Sequence, residues 1–135
     1  MSKPPMTAAL TWTGDLRFEA TVGSVSLTVD GKGAEGPSPM QALALGLAGC
    51  MAIDVVDILQ KGRHPLIGLE AALSGERAEE PPRRFVRITL HYTVRGEVPP
   101  AAVERAIQLS RDKYCSVWHS MRQDTEFLTT FEVHA

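Results

Sequence analysis

The stretch Pro39–Lys61, PMQALALGLAGCMAIDVVDILQK, most constrains how this chain can fold. Its N-terminal two-thirds carries a single polar side chain, Gln41, so a helix here is apolar on nearly every side. A helix that is apolar all round is typically buried. Ser38 and Gln41 form an S-x-x-Q capping box with proline at the first helical position, and Lys61-Gly62 marks the end. The sequence therefore predicts one long buried helix, roughly 34 Å from end to end.

Three small residues share one stripe of this helix, because Ala42, Gly46, Gly49 and Ile53 follow the i, i+4, i+7, i+11 spacing. Each internal glycine costs about 1 kcal/mol relative to alanine, so the stripe needs a structural reason. Two interpretations stay open. The stripe allows close packing in the chain's own core, or it allows two copies of the helix to cross closely.

Length and charge narrow the protein class. A chain of 135 residues predicts one domain, residues 1–135, with a real core. A net charge of −2 with interspersed signs gives no basic patch for nucleic acid. Asp54 and Asp57 interrupt the apolar run before the ~20 residues of a membrane span. The N-terminus lacks an apolar segment of signal-peptide length, so we expect a cytoplasmic protein, in which cysteines are free thiols or a redox pair.

The alternation of apolar residues predicts the order β-β-β-α-β-β-α-β, an α+β domain with mostly antiparallel strands. Three short strands occupy 8–29, with a two-residue turn at Gly23-Ser24. Strands follow at 67–73, 86–94 and 127–133, with a polar loop at 74–84. Pro99-Pro100 opens a second helix, and the pattern loosens around Tyr114-Cys115. One face of this helix carries Val103, Ala106, Ile107, Ser110 and Tyr114. Because a three-stranded meander cannot cover the long apolar helix, we expect a tight homodimer with both long helices at its centre.

Cys50 and Cys115 are the only cysteines. In one interpretation each is a small buried hydrophobic residue. In the other they form a thiol pair, with Cys50 attacking and Cys115 resolving, which requires a thiolate stabilised by a cation or a helix terminus. Cys50 is mid-helix, so a cation must come from elsewhere. Arg17, the only arginine before the helix, is the candidate, although its position equally suits an exposed, unpaired strand cation.

Other polar residues are weaker candidates. Cys115 and His119 have the i, i+4 spacing of a metal pair, but no second ligand pair of strong spacing exists, so we expect neither a metal nor a cofactor. Asp54 and Asp57 lie at i+4 and i+7 from Cys50, where a carboxylate would raise the pKa of the thiol. Three interpretations of these two aspartates stay open. They pair with a cation, they mark the point where the helix enters solvent, or one of them acts as a general base.

Two motifs resemble the OsmC/Ohr family. Ser38-Pro39-Met40-Gln41, followed by small and apolar residues up to Gly49-Cys50, is similar to the central-helix signature of the family. Asp54-Val55-Val56 resembles its continuation, and Tyr114-Cys115-Ser116-Val117 its second cysteine motif. The likeness covers nearly the whole chain and is closest to the small YhfA-like branch. It implies an intertwined homodimer with two symmetric sites at the interface.

The resemblance also implies an activity. Cys50 matches the peroxidatic cysteine, which attacks the O–O bond of a hydroperoxide and becomes a sulfenic acid. Cys115 matches the resolving cysteine, which forms a disulfide that an external thiol then reduces. The apolar surroundings favour organic hydroperoxides. The implied function is a thiol-dependent organic hydroperoxide reductase.

The chain departs from the family pattern at two positions. Met40 stands where the active reductases carry the glutamate that holds the activating arginine, and Ser116 stands where proline commonly follows the second cysteine. No local motif fixes Arg17 to the position of that arginine. Two alternatives therefore stay open: a non-catalytic dimer that binds a small apolar or thiol-reactive ligand at its interface, and a purely structural dimer with unreactive cysteines.

Overall fold

The computed structural model describes residues 3–135 and divides into two compact units, one ending at Leu43 and the other spanning Ala44–Ala135. The boundary lies inside the long helix. The elements in chain order are β1 (Ala8–Gly14), β2 (Arg17–Val22), β3 (Val25–Asp30), α1 (Pro39–Lys61), β4 (Leu66–Arg77), β5 (Phe85–Gly96), α2 (Pro100–Leu109), a π-helical turn (Ser110–Tyr114), α3 (Ser116–His119) and β6 (Glu126–His134). This order confirms the predicted α+β class and adds the short α3. That the chain is one domain stays a prediction.

The first unit is an antiparallel meander in the order β1-β2-β3. The predicted two-residue turn joins β2 to β3, and Gly23 adopts the positive φ of 60° that such a turn requires. Asp30 ends β3 and accepts the backbone N–H groups of Lys32 and Glu35, which lowers the pKa of its carboxyl group. These two bonds order the glycine-rich loop that leads into α1.

The capping box forms as the sequence predicts. Ser38 Oγ accepts the Gln41 backbone N–H at 3.2 Å, and the Ser38 backbone N–H donates to Gln41 Oε1 at 2.8 Å. At the other end Lys61 Nζ lies 2.9 Å from Asp57 Oδ2. Both predicted ends of the helix are therefore confirmed.

One stripe of α1 is buried in the second unit: Leu47, Met51, Val55 and Leu59. Other apolar side chains of the same helix stay exposed, with Leu45 at 68% and Ile53 at 70%. Within the part of the chain that the structure describes, α1 is the one helix whose length and composition would suffice to cross a bilayer, and 22% of that stretch is buried. A single copy thus buries one face of α1, and its complete burial by a second copy stays a prediction.

The second unit is built on a sheet in the order β4-β5-β6. β4 is antiparallel to β5, whereas β6 runs parallel to it, which requires the crossover through α2, the π turn and α3. The inward residues of β5 alternate as predicted and are fully buried: Ile88, Leu90, Tyr92 and Val94. This crossover carries the second cysteine across the sheet toward the first.

Two details differ from the sequence predictions. β4 continues to Arg77 within the stretch predicted as a loop, because its backbone pairs with β5 although its side chains are polar, as an edge strand permits. Tyr114 is 50% exposed, whereas the other residues of the face predicted for the second helix are buried. The π turn is wider than an α-helical turn, so it breaks the spacing from which that face was predicted.

Candidate active site at a cysteine pair

The structure brings the thiols of Cys50 and Cys115 together within the second unit. Cys50 lies midway along α1 and is partly exposed, whereas Cys115 is fully buried between the π turn and α3. Both are free thiols, and they are close enough to interact with each other. The chain therefore places two reducing groups side by side, as thiol–disulfide chemistry requires.

Local backbone geometry fixes Cys115. Its N–H donates to the Ser110 carbonyl at 2.7 Å, which closes the π turn. The backbone then becomes extended and Cys115 caps α3, where its Sγ accepts the Trp118 N–H at 3.3 Å. The Trp118 ring packs against Phe127 of β6, with ring centroids 4.6 Å apart. Cys115 is thus fixed by one hydrogen bond of its backbone and one to its sulfur, beside a tryptophan ring that packs on the sheet.

Burial dominates the electrostatics of this thiol. It raises the pKa of Cys115 to about 11, and the neighbouring Cys50 thiol acts in the same direction. The Trp118 amide acts in the opposite direction because it favours the thiolate. Cys115 is therefore a protonated thiol at neutral pH, which makes it a poor first nucleophile and suits it to a later step.

Asp54 lies one helical turn after Cys50 and points into the same region. Ser110 Oγ, which is fully buried, donates to Asp54 Oδ2 at 2.8 Å. Asp57 instead pairs with Lys61 in solvent. Of the two aspartates, Asp57 therefore pairs with a cation, whereas the partner of Asp54 is a neutral hydroxyl. Ser110 was predicted only as part of one helical face, since nothing in the sequence indicates a partner on α1.

Tyr92 of β5 was also absent from the predicted site. Its side chain is fully buried, and its hydroxyl is the one buried side-chain oxygen or nitrogen within residues 3–135 that has no hydrogen-bond partner. Burial raises the pKa of Tyr92, and the nearby Cys115 and Asp54 add to this effect. In the sequence Tyr92 is one more apolar position of an alternating strand, so nothing local distinguishes it.

Two predicted candidates lie in other settings. Arg17 belongs to the first unit, where its guanidinium lies 3.5 Å from the Asp15 carboxylate, and its role at Cys50 stays a prediction. The His119 ring lies 2.9 Å from the Arg111 carbonyl through Nε2. Within residues 3–135 no group of three or more histidine, cysteine, aspartate and glutamate side chains is arranged to hold a metal ion.

Fold and site together define a class: an α+β protein in which a long helix and a sheet crossover each present one free thiol to the other. The family model described as OsmC-like protein matches residues 30–130, so the chain belongs to the OsmC-like family. Protein YhfA of Escherichia coli (strain K12) is 41% identical over 133 residues, covering 96% of this chain and 99% of YhfA. The predicted family is therefore confirmed.

Solved structures agree. A protein of Aquifex aeolicus VF5 described as hypothetical is 27% identical, with a TM-score of 0.90 and 97% of each chain covered. A protein of Legionella pneumophila described as the organic hydroperoxide resistance protein OsmC is 16% identical, with a TM-score of 0.73 over 98% of this chain and 100% of that one. At that identity the second likeness shows the fold alone, and it confirms the predicted OsmC-like fold.

Proposed function

We propose that this protein is a thiol-dependent reductase of organic hydroperoxides, with Cys50 as the attacking thiol and Cys115 as the resolving thiol. The observation that carries the proposal is the juxtaposition of these two free thiols inside one compact unit. Membership of the OsmC-like family supports it. So does the fold shared with a protein described as an organic hydroperoxide resistance protein.

The proposed reaction has three steps. The Cys50 thiolate attacks one peroxide oxygen, an S–O bond forms and the O–O bond breaks, and the alcohol leaves after taking up a proton. The Cys50 sulfur loses two electrons, which the peroxide gains, and becomes a sulfenic acid. Cys115 then attacks this sulfur, so that a disulfide forms and water leaves. Two equivalents of an external thiol, or one dithiol, then reduce this disulfide by exchange and are themselves oxidised to a disulfide.

The surroundings of the two thiols support this division of labour. Cys50 is partly exposed and can meet a substrate, whereas Cys115 is buried and is held as a protonated thiol by its raised pKa. The exposed apolar side chain of Ile53, one helical turn after Cys50, favours an organic hydroperoxide. Arg17 is the cation proposed to stabilise the Cys50 thiolate, and Arg17→Gln is expected to slow the first step without removing either thiol.

The proposal includes a homodimer. A Cβ atom built at Gly46 or Gly49 meets no atom of the described residues within 4 Å, so close packing in the chain's own core is the wrong explanation for both glycines. An open stripe of small residues suits a second helix. The first unit also exposes large apolar side chains, more than an isolated subunit normally leaves uncovered. They are Leu10, Trp12, Leu16, Phe18, Val22, Val25 and Leu27.

A thiol count tests the enzyme against the alternatives. Reduced protein receives cumene hydroperoxide, and free thiols are then titrated. We expect the loss of two thiols per chain, and none in Cys50→Ser. An unchanged thiol count in the wild type contradicts the proposed enzymatic function and favours the ligand-binding dimer. Met40, which stands in place of the family glutamate, also supports that alternative. Thiols that also resist iodoacetamide in the folded state support the purely structural dimer.

A further inference from the structure

The Tyr92 hydroxyl is an exception to the pairing of buried polar groups in this protein. Tyr92 lies in the middle of the central strand β5, between Ala71 of β4 and Phe131 of β6, and is fully buried. An unpaired buried hydroxyl is unfavourable, and phenylalanine would fill nearly the same volume without it. The hydroxyl therefore points to an interaction that the reduced, resting protein does not display.

The groups around this hydroxyl come from two elements. α1 contributes Asp54, and the crossover between β5 and β6 contributes Cys115, beside which Cys50 lies. Asp54 already accepts the Ser110 hydroxyl. The Cys115 sulfur accepts one backbone N–H, at 3.3 Å, and a sulfur that gains negative charge can accept more.

We propose that the Tyr92 hydroxyl donates a hydrogen bond to the Cys115 sulfur while that thiol loses its proton and attacks the oxidised Cys50. This inference rests on the proposed function. In this step the S–S bond forms and the S–O bond of the sulfenic acid breaks. The proton of Cys115 leaves with the sulfenic hydroxyl as water, so no co-reactant beyond the hydroperoxide is needed. The Cys115 sulfur is oxidised and the Cys50 sulfur is reduced by the same electron pair.

Tyrosine suits this role because it keeps its own proton. Its pKa is raised by burial and by the two neighbouring acidic groups, so the hydroxyl stays a donor over the whole range in which Cys115 ionises. A charge-assisted hydrogen bond is about twice as strong as a neutral one. The donor therefore gains strength as the thiolate develops.

Tyr92→Phe tests the proposal, and Tyr114→Phe is its matched control. The chain has two tyrosines, and Tyr114 is 50% exposed and adjacent to Cys115 in sequence. After one addition of cumene hydroperoxide, we expect Tyr92→Phe to form the Cys50–Cys115 disulfide about tenfold more slowly. Sulfenic acid trapped at Cys50 by dimedone should rise accordingly, whereas Tyr114→Phe should match the wild type. The denaturant midpoint of Tyr92→Phe should not fall, since no hydrogen bond of the resting protein is lost.

A second measurement needs no hydroperoxide. In a Cys50→Ser background, the ¹³Cβ shift of labelled Cys115 is followed against pH with and without Tyr92→Phe. Tyr92 is then a titratable neighbour of Cys115, and Asp54 in turn neighbours Tyr92, so adding Asp54→Asn separates the effect of the carboxylate from that of the hydroxyl. We expect Tyr92→Phe to move the thiol titration upward by about one pH unit, which corresponds to the tenfold change in rate.

The two measurements separate the two ideas. A wild type that loses no thiols overturns the proposed function, while the Cys115 titration still tests the hydroxyl as a donor. A wild type that forms the disulfide, with Tyr92→Phe equal to it in rate and in titration, overturns the role of Tyr92 alone. A Tyr92→Phe variant that loses stability with an unchanged titration also overturns it, because the hydroxyl would then be structural.

Discussion

Cys50 and Cys115 carry the same functional group in different surroundings. Cys50 lies on a helix that one chain covers along a single stripe, whereas Cys115 is enclosed by a π turn, a short helix and the sheet. Solvent can reach the first, and the second is kept protonated by burial. Under the proposed function, this difference assigns two identical side chains to separate steps of one reaction.

The largest expected effect comes from removing each cysteine in turn. Cys50→Ser should abolish hydroperoxide consumption, by about a thousandfold or more, because the attacking sulfur is gone. Cys115→Ser should still consume one equivalent and stop at a sulfenic acid that dimedone traps. If both variants lost hydroperoxide consumption to the same extent, the proposed difference between the two thiols would be contradicted.

The pH dependence of the unfolding free energy measures the contribution of the buried Cys115 thiol. The pKa of Cys115 rises from about 9.0 in the unfolded chain to about 11 in the folded protein, so the folded state holds the proton more tightly. Stability should therefore fall as the pH rises from about 9 to about 11, by roughly 2 kcal/mol at most. Urea unfolding of wild type and Cys115→Ser across this range measures the effect. The part due to Cys115 should be absent in the variant, and equal pH slopes would show that the thiol is not buried as described.

The open face of α1, on the helix that carries Cys50, makes a separate prediction. Gly46→Leu places a large side chain on the small-residue stripe, where a second helix is proposed to cross. The overpacked crossing should weaken the dimer by about 1–3 kcal/mol. Sedimentation over a dilution series measures this, with Lys3→Leu in the exposed N-terminal segment as a control for added apolar surface. A variant that dissociates like the wild type would show that the stripe lies outside the dimer contact.

The smallest effect contrasts the two aspartates that follow Cys50. Ser110→Ala removes the buried donor to Asp54 and should cost about 1–2 kcal/mol of unfolding free energy. Asp57→Asn breaks a solvent-exposed pair with Lys61 and should cost less than about 1 kcal/mol. Thermal or urea denaturation of the two variants checks the order, and a reversed order would contradict the pairing of Asp54 with the buried Ser110 hydroxyl.

Local signals explain what the sequence predicts well. The capping box of Ser38 and Gln41 and the terminal Lys61-Gly62 act within a few residues, so both ends of α1 could be read directly. The alternation along β5 likewise depends only on neighbouring residues. The extension of β4 to Arg77 could not be predicted, because its pairing partner lies across a loop.

The site depends on contacts that sequence spacing does not contain. Ser110 meets Asp54, and Cys115 meets Cys50, only because the crossover returns over α1. The π turn also changes the helical spacing from which the face containing Tyr114 was predicted. The cysteine pair could be proposed from the family resemblance, whereas Ser110 and Tyr92 emerge only from the three-dimensional arrangement.

The central claim is that the two thiols act on each other after a hydroperoxide oxidises the first. Peptide mapping by mass spectrometry, after one equivalent of cumene hydroperoxide is added to the reduced protein, tests it most directly. The account predicts a peptide pair joined by a Cys50–Cys115 disulfide, with the loss of two hydrogens. Recovery of both cysteines as free thiols, or of a Cys50 sulfinic acid beside a reduced Cys115, would contradict it.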